Sequence, residues 1–146
     1  MATNALINRP TVSQLGYRKK YTIKLADLVG LGAATTGTVT LETLPAGAIV
    51  TRARIKHTTA VAGPSFSAAT ARMKFAGTNL GAGVLDVFAA PGTTAGTHYI
   101  TDITGNGAGS MSATNDLVVD LATTGGNLSA ATAGQIDAYV DYTVMA

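Results

Sequence analysis

Near the end of this chain, Ile136, Ala138, Val140, Tyr142 and Val144 alternate with Asp137, Tyr139, Asp141 and Thr143. Successive side chains of a strand point to opposite faces, so this period of two makes a ribbon with one face for a core and one for water. A helix would scatter the same residues around its circumference. The pattern recurs upstream. In Tyr21–Leu25, Tyr21, Ile23 and Leu25 oppose Thr22 and Lys24; in Thr38–Leu41, Val39 and Leu41 share a face. Ile49–His57 sets Ile49, Thr51, Ala53, Ile55 and His57 against Val50, Arg52, Arg54 and Lys56. Ala69–Phe75 sets Ala69, Ala71, Met73 and Phe75 against Thr70, Arg72 and Lys74, and Leu117–Leu121 sets Leu117, Val119 and Leu121 against Val118 and Asp120. Val84–Phe88 and Thr97–Ile103 read as two further strands.

Turn chemistry separates these runs. Leu44-Pro45-Ala46-Gly47 combines a proline that presets φ with a glycine that permits φ > 0. Pro91–Gly96, Gly105–Ser110 and Thr123–Gly134 read as loops, and the helical candidate is a short turn at Ala26–Leu31, ended by Gly30 and Gly32. About eight short strands without amphipathic helices between them predict an all-β fold, an antiparallel β-sandwich of jelly-roll-like type. Residues 1–17 show neither period. Pro10 removes a donor and keeps Arg9 out of the α region, so 1–17 is expected to be an extended N-terminal arm and 18–146 a single sandwich domain.

Composition narrows the function. Charged residues make up 12% of the 146, about half the usual share, while 47% are hydrophobic, so the chain has material for a core and a bland surface that is readily buried against a partner. Cysteine is absent, which excludes disulfides and thiolate metal sites. The start, Met1-Ala2-Thr3-Asn4, has no basic or apolar signal region, and no apolar run nears the ~20 residues of a membrane span. The expectation is a protein made in a cytoplasm that stays soluble until it assembles, with no membrane contact.

No set of residues argues for catalysis. Ser65, His57 and Asp86 can be combined on paper, but no Gly-x-Ser-x-Gly elbow accompanies them and His57 falls on the apolar face of its strand. Gly105-Asn106-Gly107-Ala108-Gly109 lacks the Lys-Ser/Thr and the helix of a phosphate loop. Asp116 and Asp120 form at most a weak calcium site, and Asn127-Leu128-Ser129 is a sequon without a secretory context. The reading is not an enzyme, with no cofactor, no metal and no small-molecule substrate.

Charge carries more information. All ten Lys and Arg lie between Arg9 and Lys74, with two acids, so residues 1–74 carry +8, whereas the six acids from Asp86 onward give residues 75–146 −6. Such polarity implies an electrostatic partner or pairing between the halves. Arg52, Arg54 and Lys56 recur at every second position and so share one strand face, and Arg18-Lys19-Lys20 is the single basic run. That run is too short to argue for nucleic acid. The residues expected to contact a partner are Asn8, Arg9, Pro10, Arg18, Lys19, Lys20, Arg52, Arg54 and Lys56. The simpler reading of the ladders is ion pairing across a wet sheet face.

Two segments carry a resemblance. Thr38–Ile55, a strand, Leu-Pro-Ala-Gly and a second alternating strand, and Thr132–Tyr142, an Ala-Gly entrance followed by an alternating finish, resemble the decoration (cement) proteins of tailed-bacteriophage heads. The resemblance implies a jelly-roll protein on the outside of a virion's capsid, bound to the major capsid protein and to itself as a homotrimer. A tail or head-fibre component is the alternative within the same particle. A carbohydrate-binding module is the alternative from another class, with Tyr17, Tyr99 and Tyr139 as its surface aromatics and no tryptophan to help.

Overall fold

The structure is a computed structural model that describes residues 14–81, 83–90, 97–100 and 113–145, with side chains described within 18–81, 83–90 and 113–144. Its strands are β1 (Gln14–Ile23), β2 (Thr36–Leu44), β3 (Ala48–Ala62), β4 (Ala68–Phe75), β5 (Thr78–Asn79), β6 (Leu85–Asp86), β7 (Thr97–Ile100), β8 (Asn115–Thr124) and β9 (Ala133–Met145). A short helix, α1 (Leu25–Val29), follows β1, and a 3₁₀ turn, Leu128–Ala130, precedes β9.

Two antiparallel sheets result. One has four strands in the order β1-β9-β3-β7; the other has five, in the order β2-β8-β4-β5, with β6 also on β4. Early strands pair with late ones: β1 with β9, β2 with β8, β3 with β7, and β4 with β5 and β6. The chain is therefore one long hairpin folded over, so that β9 also pairs with β3 and β8 with β4. This interleaving is that of an antiparallel, jelly-roll-like sandwich. It also accounts for much of the charge polarity, because the basic half of the chain is laid strand by strand against the acidic half.

The alternation read from the sequence sets the core. Ala69, Ala71, Met73 and Phe75 of β4, Leu117, Val119 and Leu121 of β8, and Ile136, Ala138, Val140 and Tyr142 of β9 are all buried. Helix α1 stands at the Ala26–Leu31 candidate, capped at Gly30, with the Asp27 carboxylate accepting the Lys24 amide at 2.8 Å and Leu28 buried. Leu28 explains the Ala-Gly entrance to β9. A Cβ on Gly134 would lie 2.6 Å from Leu28 Cδ1 and 3.1 Å from Val61 Cγ2, so a side chain there would have to displace Leu28, and it would be strained at the φ of 154 that the backbone adopts. Between the two sheets, the Val87 amide donates to Ala69 O at 3.0 Å and its carbonyl accepts from Val61 N at 2.8 Å.

Three expectations change. Residues 14–17, assigned to the arm, belong to β1, where Gln14 to Tyr17 pair with Met145 to Tyr142; the partner strand, not local period, orders them. Residues 1–13, with Asn8, Arg9 and Pro10, lie outside the described residues. In β3 the register shifts between Val50 and Arg52, so Thr51 is an extra residue and the faces exchange there. Val50 is consequently buried, and Ile49, expected in the core, is part-exposed. Val84–Phe88 shortens to β6, with Val84 and Phe88 exposed, because only Leu85 and Val87 reach the core. Of Thr97–Ile103, β7 takes the first four residues, and the rest, like the Gly105–Ser110 loop, lie outside the described residues.

Candidate partner-binding face

The site is built by register. On the outside of the four-stranded sheet, β9 supplies Asp141, Tyr139 and Asp137. On one side β1 sets Arg18, Lys20 and Thr22 opposite them, and on the other β3 sets Arg52, Arg54 and Lys56 opposite the same three. Three rows form: Arg18–Asp141–Arg52, Lys20–Tyr139–Arg54 and Thr22–Asp137–Lys56. Cations from two distant stretches of sequence thus flank one acidic, aromatic strand. Neighbouring rows lie about 7 Å apart, two residues of strand rise.

The acids are satisfied from the β1 side. Arg18 Nε lies 3.2 Å from Asp141 Oδ1 and Lys20 Nζ 3.4 Å from Asp137 Oδ2, and the Thr22 hydroxyl donates to Asp137 Oδ1 at 3.0 Å. Asp137 is 3% exposed, so these contacts compensate a buried carboxylate. Tyr139 gathers three cations: the Arg54 guanidinium carbon 4.3 Å from its ring centre, Lys56 Nζ at 5.6 Å and Lys20 Nζ at 5.7 Å. Arg52 is exposed and forms no ion pair among the described residues.

Lys19 does not join this face. It alternates inward, and its Nζ meets Glu42 Oε1 at 2.6 Å, while the Tyr21 hydroxyl donates to Glu42 Oε2 and the Tyr142 ring centre lies 5.8 Å from the ammonium. This cluster joins the edge strands β1 and β2 of opposite sheets. The Lys19 hydrogen bond, then that of Tyr21, holds the Glu42 carboxyl below its ordinary value, and Lys19 is raised chiefly by the same bond. Burial, then Glu42, pushes the Tyr21 phenol up.

The other sequence candidates fall elsewhere. His57 is buried, with Nε2 2.6 Å from Ala89 O and Nδ1 without a partner. Asp86 Oδ1 accepts the amides of Phe88 and Ala89, which occupies the carboxylate of the paper triad. Asp116 accepts the Thr43 hydroxyl at 2.6 Å, and Asp120 accepts Thr38 at 2.7 Å and meets Lys74 at 3.1 Å. Among the described residues no three His, Asp or Glu side chains gather as metal ligands. Tyr139 is covered by cations rather than open as a sugar platform, and the side chains of Tyr17 and Tyr99 lie outside the described ones.

Sequence reasoning missed one feature. A groove of about 690 Å³ lies on the outside of the five-stranded sheet, lined in part by Thr38, Thr70, Arg72, Lys74, Val84 and Asp120. Arg72 Nε is buried there without a partner, although Asp120 stands opposite in register. The alternation marked Arg72 as outward-facing, but nothing in it shows that Lys74 and Thr38 take Asp120 instead.

No family model and no curated protein matches the chain. Among solved structures, it is similar to a chain of the acidic stable capsid structure of Helicobacter pylori bacteriophage KHP30, at 16% identity and TM-score 0.54 over 90% of this chain and 91% of that one. A chain of the cyanophage Pam1 capsid asymmetric unit aligns at 15% identity and TM-score 0.48, over 90% of this chain and 84% of that one. At such identities the likeness is one of fold: this sandwich has the fold of a chain found in a phage capsid, across nearly the whole of both.

Proposed function

We propose that the chain is a virion structural protein that binds the outside of a phage capsid and stabilises it, as decoration or cement, without catalysis. The observation that carries this reading is the fold shared with a phage capsid chain over 91% of that chain's length. The low charge of the sequence and the cationic outer face described above support it. Its partners are the major capsid protein and further copies of itself, as a homotrimer. Arg18, Lys20, Arg52, Arg54 and Lys56 are the contact candidates of the body; Asn8, Arg9 and Pro10 are those of the arm.

The physical logic is mass action. A protein that binds assembled shell and not separated subunits stabilises the shell in proportion to its affinity, and several weak contacts on a trimer act together. Virions or shells lacking the protein are expected to form but to rupture at lower temperature or milder osmotic shock. Purified protein added back restores their resistance without metal or nucleotide. Equal robustness of bare shells, or a protein found on tails alone, overturns the reading.

A further inference from the structure

The cations of the outer face differ in what already neutralises them. Arg18 and Lys20 of β1 are matched, one each, by Asp141 and Asp137. The three cations of β3 stand opposite the same strand but have no carboxylate left among the described residues: Arg52 has no ion pair there, and Arg54 and Lys56 lie against the ring of Tyr139. Among the described residues the uncompensated charge is therefore a line along β3, about 13 Å from Arg52 to Lys56, with cations at alternate residues.

We propose that this β3 line is the docking line for an acidic protein surface whose carboxylates recur at a similar spacing. The proposal rests on the capsid reading for the identity of the partner, and it adds which residues recognise that partner and by what chemistry. The Arg54 guanidinium lies over the Tyr139 ring, its carbon 4.3 Å from the ring centre, which limits its freedom, and a guanidinium is the cation best suited to a bidentate pair with a carboxylate. Holding the side chain beforehand lowers the entropy lost on binding. Nucleic acid fits less well. Two carboxylates stand in the centre of the face, and Tyr139, whose ring would have to stack a base, is already covered by cations.

The test compares two variants that remove equal charge. Arg52→Gln with Arg54→Gln takes two cations from the line, and Arg72→Gln with Lys74→Gln takes two from the outside of the other sheet. Association with shells of the encoding virus, assembled without this chain, is followed across salt concentrations, with double-stranded DNA as the second probe. The first variant is expected to associate about tenfold more slowly at low salt with a flattened salt dependence, and the second to follow the wild type. Equal slowing by both variants overturns the proposal, since net charge alone would then act. Unchanged association of the first variant overturns the β3 line and leaves the capsid reading standing. Wild-type protein that ignores shells overturns both, and wild-type protein that binds DNA but not shells replaces them with nucleic-acid binding.

Discussion

On the outside of the four-stranded sheet, alternation turns out five cations, Arg18, Lys20, Arg52, Arg54 and Lys56, against two carboxylates, Asp137 and Asp141. On the outside of the five-stranded sheet the described residues are two cations, Arg72 and Lys74, against three carboxylates, Asp86, Asp116 and Asp120, among the threonines 36, 38, 40 and 70. Both faces arise from the same period of two, and both sheets turn apolar residues to the shared core. The difference lies in which strands become neighbours. On the four-stranded sheet the acidic β9 lies between two cationic strands and can neutralise only one of them. On the five-stranded sheet β8 lies between a cationic strand and a threonine-rich one, Asp86 of β6 adds a third carboxylate, and no excess of cations is left among the described residues. Among the described residues a net positive charge survives on one face only, and a field of one sign is what orients a partner before contact.

The largest expected effect tests whether inside and outside of β9 really differ. Val140 is fully buried beside outward Tyr139 and Asp141. Val140→Asp would place an uncompensated charge in the core, and is expected to destabilise the fold on the order of 3–5 kcal/mol. Thr143→Asp, on the outward side of the same strand, is expected to change stability by less than about 1 kcal/mol. Urea titrations of the two variants with similar midpoints would contradict the assigned faces.

A middle-sized effect sharpens the contrast between the sheets. Tyr139→Ala removes the ring that three cations share and is expected to lower stability by about 1–2 kcal/mol. Val118→Ala, at a comparable central outward position on the other sheet, should lower it by less than about 1 kcal/mol. If calorimetry gives the reverse order, Tyr139 does not organise its face.

The smallest effect concerns the seam between the sheets. Because the folded-state value of Glu42 lies below its ordinary 4.5, its contribution is full above that value and is lost as the pH falls through the lower, folded one. Lys19 and Tyr21 are raised, so their contributions are full below their ordinary values, 10.5 and 10.0, and are lost as the pH rises through the folded ones. With Lys19 37% and Glu42 31% exposed at the side chain, solvent screening holds the pair to below about 1 kcal/mol. Glu42→Gln should therefore lower the melting temperature slightly near pH 7, where that contribution is full, and the difference from the wild type should vanish as the pH falls well below 4.5. A large shift at neutral pH would mean that the seam holds the sheets together more strongly than an exposed pair can.

The legibility of the site divides along the same lines as these contacts. Arg52, Arg54 and Lys56 could be placed together beforehand because they share a strand, and the period of two acts on each strand locally. Arg18 and Lys20 join them, and Lys19 leaves, for the same local reason, although a run of three basic residues conceals it until the strand's inward side is known. Tyr139 entered the sequence reading only as a surface aromatic, because its role depends on neighbours 85 and 119 residues away, Arg54 and Lys20. The change of face at Thr51 was also hidden, since a bulge is defined against a partner strand.

Alternation, turn residues and the lack of amphipathic helices were enough to specify an all-β sandwich, its principal core residues and the polarity of its charge, because each depends on a residue and its near neighbours. Which sheet each strand enters depends on more distant contacts. Leu44-Pro45-Ala46-Gly47, with Gly47 at φ 84, reads as an ordinary turn between two strands, yet it carries the chain from one sheet to the other, and β2 and β3 never pair. Proline and glycine set the bend of four residues, but the pairing of β3 with β9, some ninety residues further on, comes from burying both apolar faces against one core. That long-range choice sets Arg52 and Arg54 beside an acidic strand already neutralised from its other side, and so determines which cations are left without a carboxylate among the described residues.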